Sequence, residues 1–382
     1  MPSVTAVPAQ APNAPFPVVI VGAGPAGLAT ATCLKQRNVD ALVLEAGPSL
    51  ANSWRNHYDR LHLHTVKQQS QLPGLPFAKE LPRYVSRADF VAYLESYATR
   101  FAIAPRTGEA VRRVSAMDGG FVVETAGAVH RARAVVVATG HNRVPNPERL
   151  PQQERFRGPV LHSSSYRNGD AFAGQRVLVV GAGNTGAELA LDLAERGANP
   201  TLAIRGPVNV VPRDLLGMPI QVTSIRLRNA PLRLADGIGR LASRLAFGNL
   251  VPLGFPRSPM GPISAIKRRH RIPLIDVGTI AAIKRGEIAV KPGVARLTET
   301  GAVFADDSVA ELDAVVLATG FRAALEQFIA VPDVLDDSGA PREWRGAACP
   351  NLFFVGYEIV PTGHLRQIAI RAQTVAAEIA RA

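Results

Sequence analysis

Two glycine-rich segments have the residue types and spacing that bind the pyrophosphate of a dinucleotide. Residues 22–27 and 181–186 each follow an apolar run and precede a helical pattern. Only glycine lets the backbone turn this tightly and approach a phosphate. The helix that follows offers free N–H groups and the positive end of its dipole. We therefore expect two dinucleotide sites. Their glycines are Gly22, Gly24, Gly27, Gly181, Gly183 and Gly186.

The residue that ends the second strand of each unit indicates which nucleotide is bound. Glu45 ends this strand in the first unit and can accept hydrogen bonds from both ribose hydroxyls of an unphosphorylated adenosine. Arg205 holds the same position in the second unit, where its guanidinium suits a 2′-phosphate. Strand, turn, helix and charged residue together are far more specific than a glycine triplet alone. We predict one site for FAD and one for NADPH.

The composition argues against several classes of protein. The chain has 382 residues, 47% hydrophobic and 19% charged, which is ordinary for a globular protein of two or three domains. It carries a net charge of +12, but we find no nucleic-acid-binding module and no apolar run of the ~18–20 residues that span a bilayer. Cys33 and Cys349 are the only cysteines, so a Cys-x-x-Cys disulfide reductase is excluded. We expect a cytoplasmic protein without a metal site.

The order of these patterns predicts an α/β fold with two Rossmann-like dinucleotide-binding domains, in which the second domain is inserted into the first. Residues 1–17 are Pro- and Ala-rich and are predicted to be a disordered lead. The FAD domain then takes residues 18–151, the NADPH domain residues 152–305, and the FAD domain returns over residues 306–382.

Local patterns predict the elements between the two turns. Ser86, with Asp89 three residues later, is a capping box that starts a helix ending near Arg100. Three short alternating runs between residues 109 and 132 predict an antiparallel meander, and a separate apolar strand follows from Ala134. Within the Pro- and Arg-rich stretch that comes after the second unit, the clearest helix covers residues 232–247.

The segment between the two units carries a more specific pattern. Phe156, Gly158, His162 and Tyr166 form Phe-x-Gly-x-x-x-His-x-x-x-Tyr, which resembles the fingerprint of the flavin-containing monooxygenases at every fixed position. Since His162 stands just before the second turn, we interpret it as holding the linker and the cofactor in register, in preference to packing alone or to a part in the chemistry.

Over nearly its whole length, the chain resembles the plant YUCCA-type indole-3-pyruvate monooxygenases. This resemblance implies class B flavin monooxygenase architecture and an enzyme that uses NADPH and O2, through a C4a-(hydro)peroxyflavin, to oxygenate a small organic substrate. The substrate is either an aryl 2-oxo acid such as indole-3-pyruvate, which is oxidatively decarboxylated, or a soft N or S nucleophile. The segments that carry the resemblance are Ser53-Trp54, residues 58–64, 138–140, 208–217, 261–262, 275–278, 283–286 and 316–321.

The same resemblance assigns cofactor contacts residue by residue. His64 lies three positions before Lys67, where animal members have an asparagine beside the flavin, and it is our candidate catalytic residue. Around FAD the resemblance places Gly22, Gly24, Pro25, Ala26, Gly27, Glu45, Ala46, Ser53, Trp54, His64, Thr65, Val111, Ala138, Thr139, Gly140, Gly356 and Leu365. Around NADPH it places Gly181, Gly183, Asn184, Thr185, Gly186 and Arg205, with Thr319 and Gly320 at a second cofactor-lining strand end.

Three points stay open at the level of sequence. Residues 361–367 depart from the plant pattern, which puts the plant substrate in doubt, although a helix starting there would direct its positive end at the flavin. A Baeyer–Villiger ketone monooxygenase is an alternative suggested by residues 317–321, but Tyr166-Arg167 stands where that group has Trp. A different class is an NADPH oxidase or flavin redox sensor that releases H2O2. Apart from a small-molecule substrate and O2, the partner we consider is a second copy in a homodimer.

Overall fold

The computed structural model describes residues 16–146, 148–346 and 349–382. Of the predicted disordered lead, residues 1–17, only Phe16 and Pro17 lie in this part of the chain, and both belong to the first strand, which corrects the predicted boundary by two residues. The first third of the chain alternates strands and helices and then forms a meander. Its elements are β1 (Phe16–Val21), α1 (Pro25–Lys35), β2 (Ala41–Leu44), α2 (Asn52–Arg55), α3 (Arg87–Arg100), β3 (Arg113–Met117), β4 (Gly120–Glu124), β5 (Val129–Val137) and β6 (Val144–Pro145).

The rest of the chain contains the second unit, a helical insert and a return to the first sheet. Its first elements are β7 (Val160–His162), β8 (Arg176–Val180), α4 (Asn184–Glu195), β9 (Asn199–Ile204), β10 (Val210–Pro212), β11 (Asp214–Leu215), β12 (Met218–Pro219), α5 (Ile220–Arg226), α6 (Leu232–Phe247), α7 (Pro262–Arg269) and β13 (Leu274–Asp276). They are followed by α8 (Thr279–Arg285), β14 (Ala289–Pro292), β15 (Val294–Leu297), β16 (Gly301–Phe304), β17 (Val309–Glu311), β18 (Ala314–Leu317), β19 (Phe321–Arg322), β20 (Leu352–Phe354) and α9 (His364–Ile379).

The first sheet has the strand order β2-β1-β5-β4-β3, and β20 is added to β5. Strand β5 is continuous, which corrects the prediction of a meander strand followed by a separate apolar strand. Its first half pairs antiparallel with β4, and its second half pairs parallel with β20 through Val136 and Phe353. Because both faces of that second half are covered, its residues are buried without alternation, whereas the first half alternates. One strand thus serves two kinds of pairing.

The second sheet is parallel throughout, with the order β14-β9-β8-β18-β7. Strand β18 lies between β8 and β7 in this sheet, although the predicted boundary at residues 305/306 would assign it to the first unit. We therefore propose that the second unit extends through Leu317. The connecting segments on either side pair with each other as the antiparallel ribbon of β6 and β19. The fold is α/β with two Rossmann-like units, the second inserted in the first.

Two local predictions are confirmed. The Ser86 hydroxyl accepts a hydrogen bond from the backbone N–H of Asp89 at 3.1 Å, and α3 runs to Arg100 as expected from the capping box. Helix α6 has the predicted bounds, Leu232–Phe247. In the described part of the chain, no helix combines the length and apolar character needed to cross a membrane.

Candidate functional site

The two glycine turns have the geometry that a dinucleotide requires. At the first position of each turn a side chain is excluded, because a Cβ on Gly22 would lie 2.7 Å from the carbonyl oxygen of Ala138 and one on Gly181 would lie 2.6 Å from that of Ala318. Both glycines also have left-handed φ angles, 105° and 111°. The first glycine therefore lets the turn pack against the neighbouring strand end.

The other glycines of the turns divide into two kinds. A Cβ on Gly27 would overlap the carbonyl oxygen of Gly22, and one on Gly186 would overlap that of Gly181, so these positions bring helix and strand together. The middle glycines, Gly24 and Gly183, have no atom within 4 Å of a would-be Cβ and cap helices that begin at the next residue. An open middle position beside a helix N-terminus is where a pyrophosphate approaches, so both turns fit a dinucleotide.

The two charged residues at the strand ends are held differently. Glu45 accepts hydrogen bonds from the backbone N–H groups of Ala23 and Gly47, both at 2.8 Å, so its carboxylate is fixed beside the first turn. Arg205 is 83% exposed and its Nη1 donates to Oε1 of Glu148 at 2.6 Å. A ligand phosphate at Arg205 must compete with this glutamate.

A cavity of about 760 Å³ lies between the two units. It extends from the first glycine turn past the loop that follows α2 to the beginning of α4, and the helical insert covers one side. Of the predicted site residues, the cavity brings together Gly22, Gly24, Pro25, Ala26, Glu45, Ala46, Ser53, Trp54, His64, Thr65, Val111, Ala138, Thr139, Gly140, Asn184, Thr185, Gly356 and Leu365. The predicted residues outside its lining are Gly27, Gly181, Gly183, Gly186, Arg205, Thr319 and Gly320.

His64 is anchored on the second unit. Its Nε2 is hydrogen-bonded to the carboxylate of Glu188, a buried residue in α4, the helix that begins at the second glycine turn. Glu188 also faces the hydroxyl of Tyr58, and burial together with this carboxylate raises the pKa of Tyr58 well above 10. The helix that would bind the second nucleotide thus holds the ring of the candidate catalytic histidine.

Glu188 was missed in the sequence analysis. Its signal was a pair of acidic residues one turn apart, Glu188 and Asp192, in the middle of α4, where the neighbouring residues are buried alanines and leucines. Carboxylates are rarely buried without a partner, so a buried acid on this helix should have been sought against a base elsewhere in the chain. That base is His64, 124 residues away.

The loop that carries His64 is fixed at several further points. Arg60 makes a bidentate ion pair with Glu195 near the end of α4, at 3.0 and 2.7 Å. The ammonium group of Lys67 donates to the backbone carbonyls of Ala78, Lys79 and Leu81, which closes the following loop. Lys67 therefore has a structural role, and the loop is held at both ends.

Gln221 connects three walls of the cavity and was also missed. This buried residue of α5 accepts a hydrogen bond from the backbone N–H of Val66 at 3.0 Å and donates to the carbonyl of Thr362 at 2.9 Å. A Cβ on Gly363, whose φ is 106°, would collide with the Gln221 amide. The insert, the His64 loop and the start of α9 therefore meet at a single amide.

A pair of histidines lies at the start of α9. The rings of His141 and His364 meet edge to face with centroids 4.8 Å apart, and both line the cavity. Burial, with the neighbouring His141, lowers the pKa of His364 to about 4, and burial lowers that of His141 as well. Both rings are therefore neutral near pH 7. Since α9 begins at His364, the positive end of its dipole faces the cavity, as the sequence predicted.

The segment with the Phe-x-Gly-x-x-x-His-x-x-x-Tyr pattern is hydrogen-bonded to the second unit. The Nε2–H of His162 donates to the carbonyl of Gly320 at 3.1 Å, while its Nδ1 accepts from the N–H of Ser164. The Tyr166 hydroxyl donates to Asp192 of α4 at 2.6 Å. These contacts support the interpretation that His162 keeps the linker in register, because it joins β7 to the turn after β18.

Two of the predicted cofactor residues, one in each unit, have structural partners for their side chains. The side-chain amide of Asn184 accepts from the N–H of Ile275 at 2.7 Å and donates to the carbonyl of Pro273, so residues 273–275 fix its orientation. The hydroxyl groups of Thr139 and Tyr357 are hydrogen-bonded to each other at 2.8 Å.

Five of the eight histidines line the cavity, but among the described residues no group of His, Cys, Asp and Glu has the arrangement of a metal site.

Comparison with known proteins gives a consistent result. The family model described as pyridine nucleotide-disulphide oxidoreductase matches residues 19–214. Indole-3-pyruvate monooxygenase YUCCA1 of Oryza sativa subsp. japonica is 41% identical over 356 residues, covering 89% of this chain and 86% of that protein.

Solved structures share the fold. A flavin monooxygenase from Stenotrophomonas maltophilia, solved as a mutant, has a TM-score of 0.76 at 24% identity and covers 96% of this chain and 98% of its own. Cyclohexanone monooxygenase bound to epsilon-caprolactone has a TM-score of 0.73 at 19% identity, with 95% and 87% covered.

Proposed function

Because this chain belongs to the YUCCA indole-3-pyruvate monooxygenases, a group of the flavin-containing monooxygenases, we propose that it oxidatively decarboxylates an aryl 2-oxo acid of the indole-3-pyruvate type. The enzyme is an FAD-dependent monooxygenase that uses NADPH. For a 2-oxo acid the reaction balances as RCOCOOH + O2 + NADPH + H⁺ giving RCOOH + CO2 + NADP⁺ + H2O. The observation that carries this proposal is the single cavity that joins the first glycine turn, His64 and the N-terminus of α4.

Different residues of the chain would bind FAD and NADPH. The first turn, Glu45 and the start of α9 would hold FAD, which supplies the redox and oxygen chemistry when bound. The second turn and Arg205 would hold NADPH, and Asn184 and Thr185 at the start of α4 connect that turn with the cavity. The insert and the His64 loop would exclude bulk water from the reacting atoms, which limits the loss of oxidising equivalents as H2O2.

His64 is the proposed catalytic residue, since it combines a position in the cavity wall with a fixed ring. Because Nε2 is bonded to Glu188, the ring would donate to the carbonyl oxygen of the substrate from Nδ1 when both ring nitrogens carry a proton, as an imidazolium paired with the Glu188 carboxylate. Glu188 acts through His64 and is a positioning residue. This arrangement requires α4 to be in place, which couples the ring to the unit that binds NADPH.

Both cysteines of the chain are free thiols, and burial raises the pKa of Cys33 to about 11, which leaves it unreactive. On this ground we infer a reducing compartment such as the cytoplasm.

Product analysis tests the proposal. The purified holoenzyme is supplied with NADPH in air and with indole-3-pyruvate, phenylpyruvate, a tertiary amine or a sulfide. We expect one CO2 and one aryl acid for each NADPH oxidised with the 2-oxo acids. Oxygenation of only the amine or sulfide would reject the proposed substrate. Stoichiometric H2O2 with every compound would instead assign the enzyme to the oxidase or sensor class.

A variant pair tests the role of His64. In His64→Leu we expect the yield of aryl acid per NADPH to fall at least about tenfold, with H2O2 in its place and with the rate of flavin reduction kept. His62→Leu is the matched control, since His62 also lines the cavity but bonds only the carbonyl of Arg60. Equal yields in the two variants would remove His64 from the chemistry.

A further inference from the structure

The helical insert exposes most of the large apolar side chains that the described structure leaves on its surface. Leu216 is 97% exposed and Leu245 66% exposed, whereas most apolar residues of the two sheets are buried. Single exposed apolar residues need no explanation, but exposed apolar residues that lie side by side mark an interaction surface. The exposed large apolar residues between 216 and 272 are Leu216, Met218, Leu234, Leu241, Leu245, Val251 and Ile272. Those elsewhere are Met117, Val129, Val309 and Ile370.

Helix α6 arranges its side chains in three stripes along its length. At about 100° per residue, Leu234, Leu241 and Leu245 fall within ~40° of one another and form the exposed leucine stripe. The buried stripe contains Ala235, Asp236, Gly239 and Ala242. The third stripe contains Arg233, Arg240 and Arg244, all exposed. The helix therefore presents leucines to solvent with arginines along one side of them.

The charge of the insert is almost entirely positive. Residues 207–273 contain eleven Lys and Arg and two Asp, which is +9 of the +12 net charge of the chain. Neither aspartate offsets the exposed arginines of α6. Asp214 accepts a hydrogen bond from Tyr84 and pairs with Arg83, and Asp236 is buried, where it accepts the N–H groups of Ile263 and Ser264 at the start of α7. A basic, leucine-bearing surface remains.

The same helix forms part of the cavity wall. Ala235, Ile238 and Gly239 of α6 line the cavity, together with Ile263 and Ile266 of α7. The leucine stripe is thus carried by the element that separates the cavity from the outside.

We propose that residues 216–272 dock the enzyme on the surface of an anionic lipid bilayer. The leucines of α6 enter the boundary between head groups and acyl chains, and Arg233, Arg240 and Arg244 contact the phosphates. This is the pattern of a helix that lies in the interface plane, with apolar burial and electrostatic attraction acting together. The helix lies on the bilayer and does not cross it.

The charge distribution favours an anionic bilayer as the partner of this surface over a second copy of the chain or a nucleic acid. A second copy of the chain would bring one +9 surface against another, which opposes association. A nucleic acid would pair with the arginines but would gain little from the leucines. An anionic bilayer satisfies both kinds of side chain.

Vesicle binding by the full-length holoenzyme tests the proposal. Sedimentation is measured with vesicles of phosphatidylcholine alone and with vesicles that also contain phosphatidylglycerol, at low and high salt. We expect binding to the anionic vesicles, at least about tenfold weaker binding to neutral ones, and a decrease with salt. Binding that is equal on both lipids, or absent on both, overturns the proposal.

Two double variants test whether vesicle binding depends on the leucines of α6 or on exposed apolar residues in general. Leu241→Glu combined with Leu245→Glu should abolish vesicle binding, while the flavin content and the rate of reduction by NADPH stay unchanged because neither residue lines the cavity. Val129→Glu combined with Val309→Glu alters two residues of equal exposure, 66% each, outside the insert, and should bind as the parent does. Equal loss in both double variants rejects the assignment to α6. Concentration-dependent dimers that only the leucine variant loses, without vesicle binding, would show that a second copy covers this face.

Discussion

The two glycine turns share one backbone design but differ in how their charged residues are held. In each, the first glycine has a φ near 105–111° and the third packs directly on the first. Glu45 is nevertheless fixed by two backbone N–H groups, whereas Arg205 is 83% exposed and paired with Glu148. A fixed carboxylate loses little freedom when a ligand binds, but the exposed Arg205 must first leave its partner Glu148.

The two glycine turns also differ in how much of the cavity wall they form. The first turn opens into it through Gly22 and Gly24, while the second contributes only Asn184 and Thr185. We propose that the first site keeps its ligand bound and that the second exchanges its ligand in every turnover, as a resident cofactor and a cosubstrate would.

The largest expected effect comes from filling the third glycine of each turn. Gly27→Val should yield protein without FAD or with little folded material, because the side chain overlaps the backbone of Gly22. Gly186→Val, which overlaps the backbone of Gly181 as closely, should also lower the yield, but the protein that folds should retain FAD and lose reduction by NADPH. Absorbance of bound flavin and stopped-flow reduction measure the two losses. Gly24→Ala is the control, since its Cβ meets no protein atom: the fold should survive and only FAD affinity should fall. If Gly186→Val also lost FAD, the two sites would not be separable.

Removing the arginine of the second site has the next largest effect. For Arg205→Ala we expect the KM for NADPH to rise about tenfold or more, equivalent to ~1.4 kcal/mol, with little change for NADH. The rise should shrink with added salt because the side chain is exposed. Steady-state kinetics with both nucleotides provide the measurement. An equal loss with NADH would show that Arg205 does not contact the phosphate.

The buried histidines of the first unit should respond to pH instead of salt. The pKa of His364 is about 4 in the folded protein and about 6.5 when unfolded, so its contribution is complete above pH 6.5 and is lost as the pH falls toward 4. We expect His364→Gln to flatten the decline in unfolding free energy between pH 6.5 and 4 by about 1 kcal/mol, since cavity water reduces the full effect. Urea unfolding of the FAD-loaded enzyme at several pH values measures this slope. An unchanged slope would mean that the ring is already hydrated in the folded state.

The smallest effect concerns the partner of Arg205. Glu148→Gln removes the carboxylate that competes with a phosphate, and exposed ion pairs contribute about 0–1 kcal/mol. We expect the KM for NADPH to fall two- to fivefold, within that range. An increase in KM would instead show that Glu148 orients the arginine for binding.

Local chemistry explains which features could be predicted from the sequence. The capping box at Ser86 depends on residues three positions apart, so α3 was placed correctly, and α6 also has its predicted bounds. The division of β5 into two strands was wrong because the change from antiparallel to parallel pairing depends on Phe353, far along the chain. The pairs Glu188 with His64 and Arg205 with Glu148 also form only after folding, between residues that no local pattern connects. The sequence therefore predicted where the functional glycines and charged residues lie, but it did not predict which residues the charged side chains pair with.

The addition of β20 to the middle of β5 has a consequence for synthesis on the ribosome. The second sheet has all of its strands once Leu317 has emerged, but the first sheet still lacks residues 352–354, and α9, which packs on α1, ends only at Ile379. At about 5–20 residues per second, the N-terminal half of the first domain waits several seconds with an incomplete sheet. The unit that comes second in the gene is therefore the first that can complete its fold.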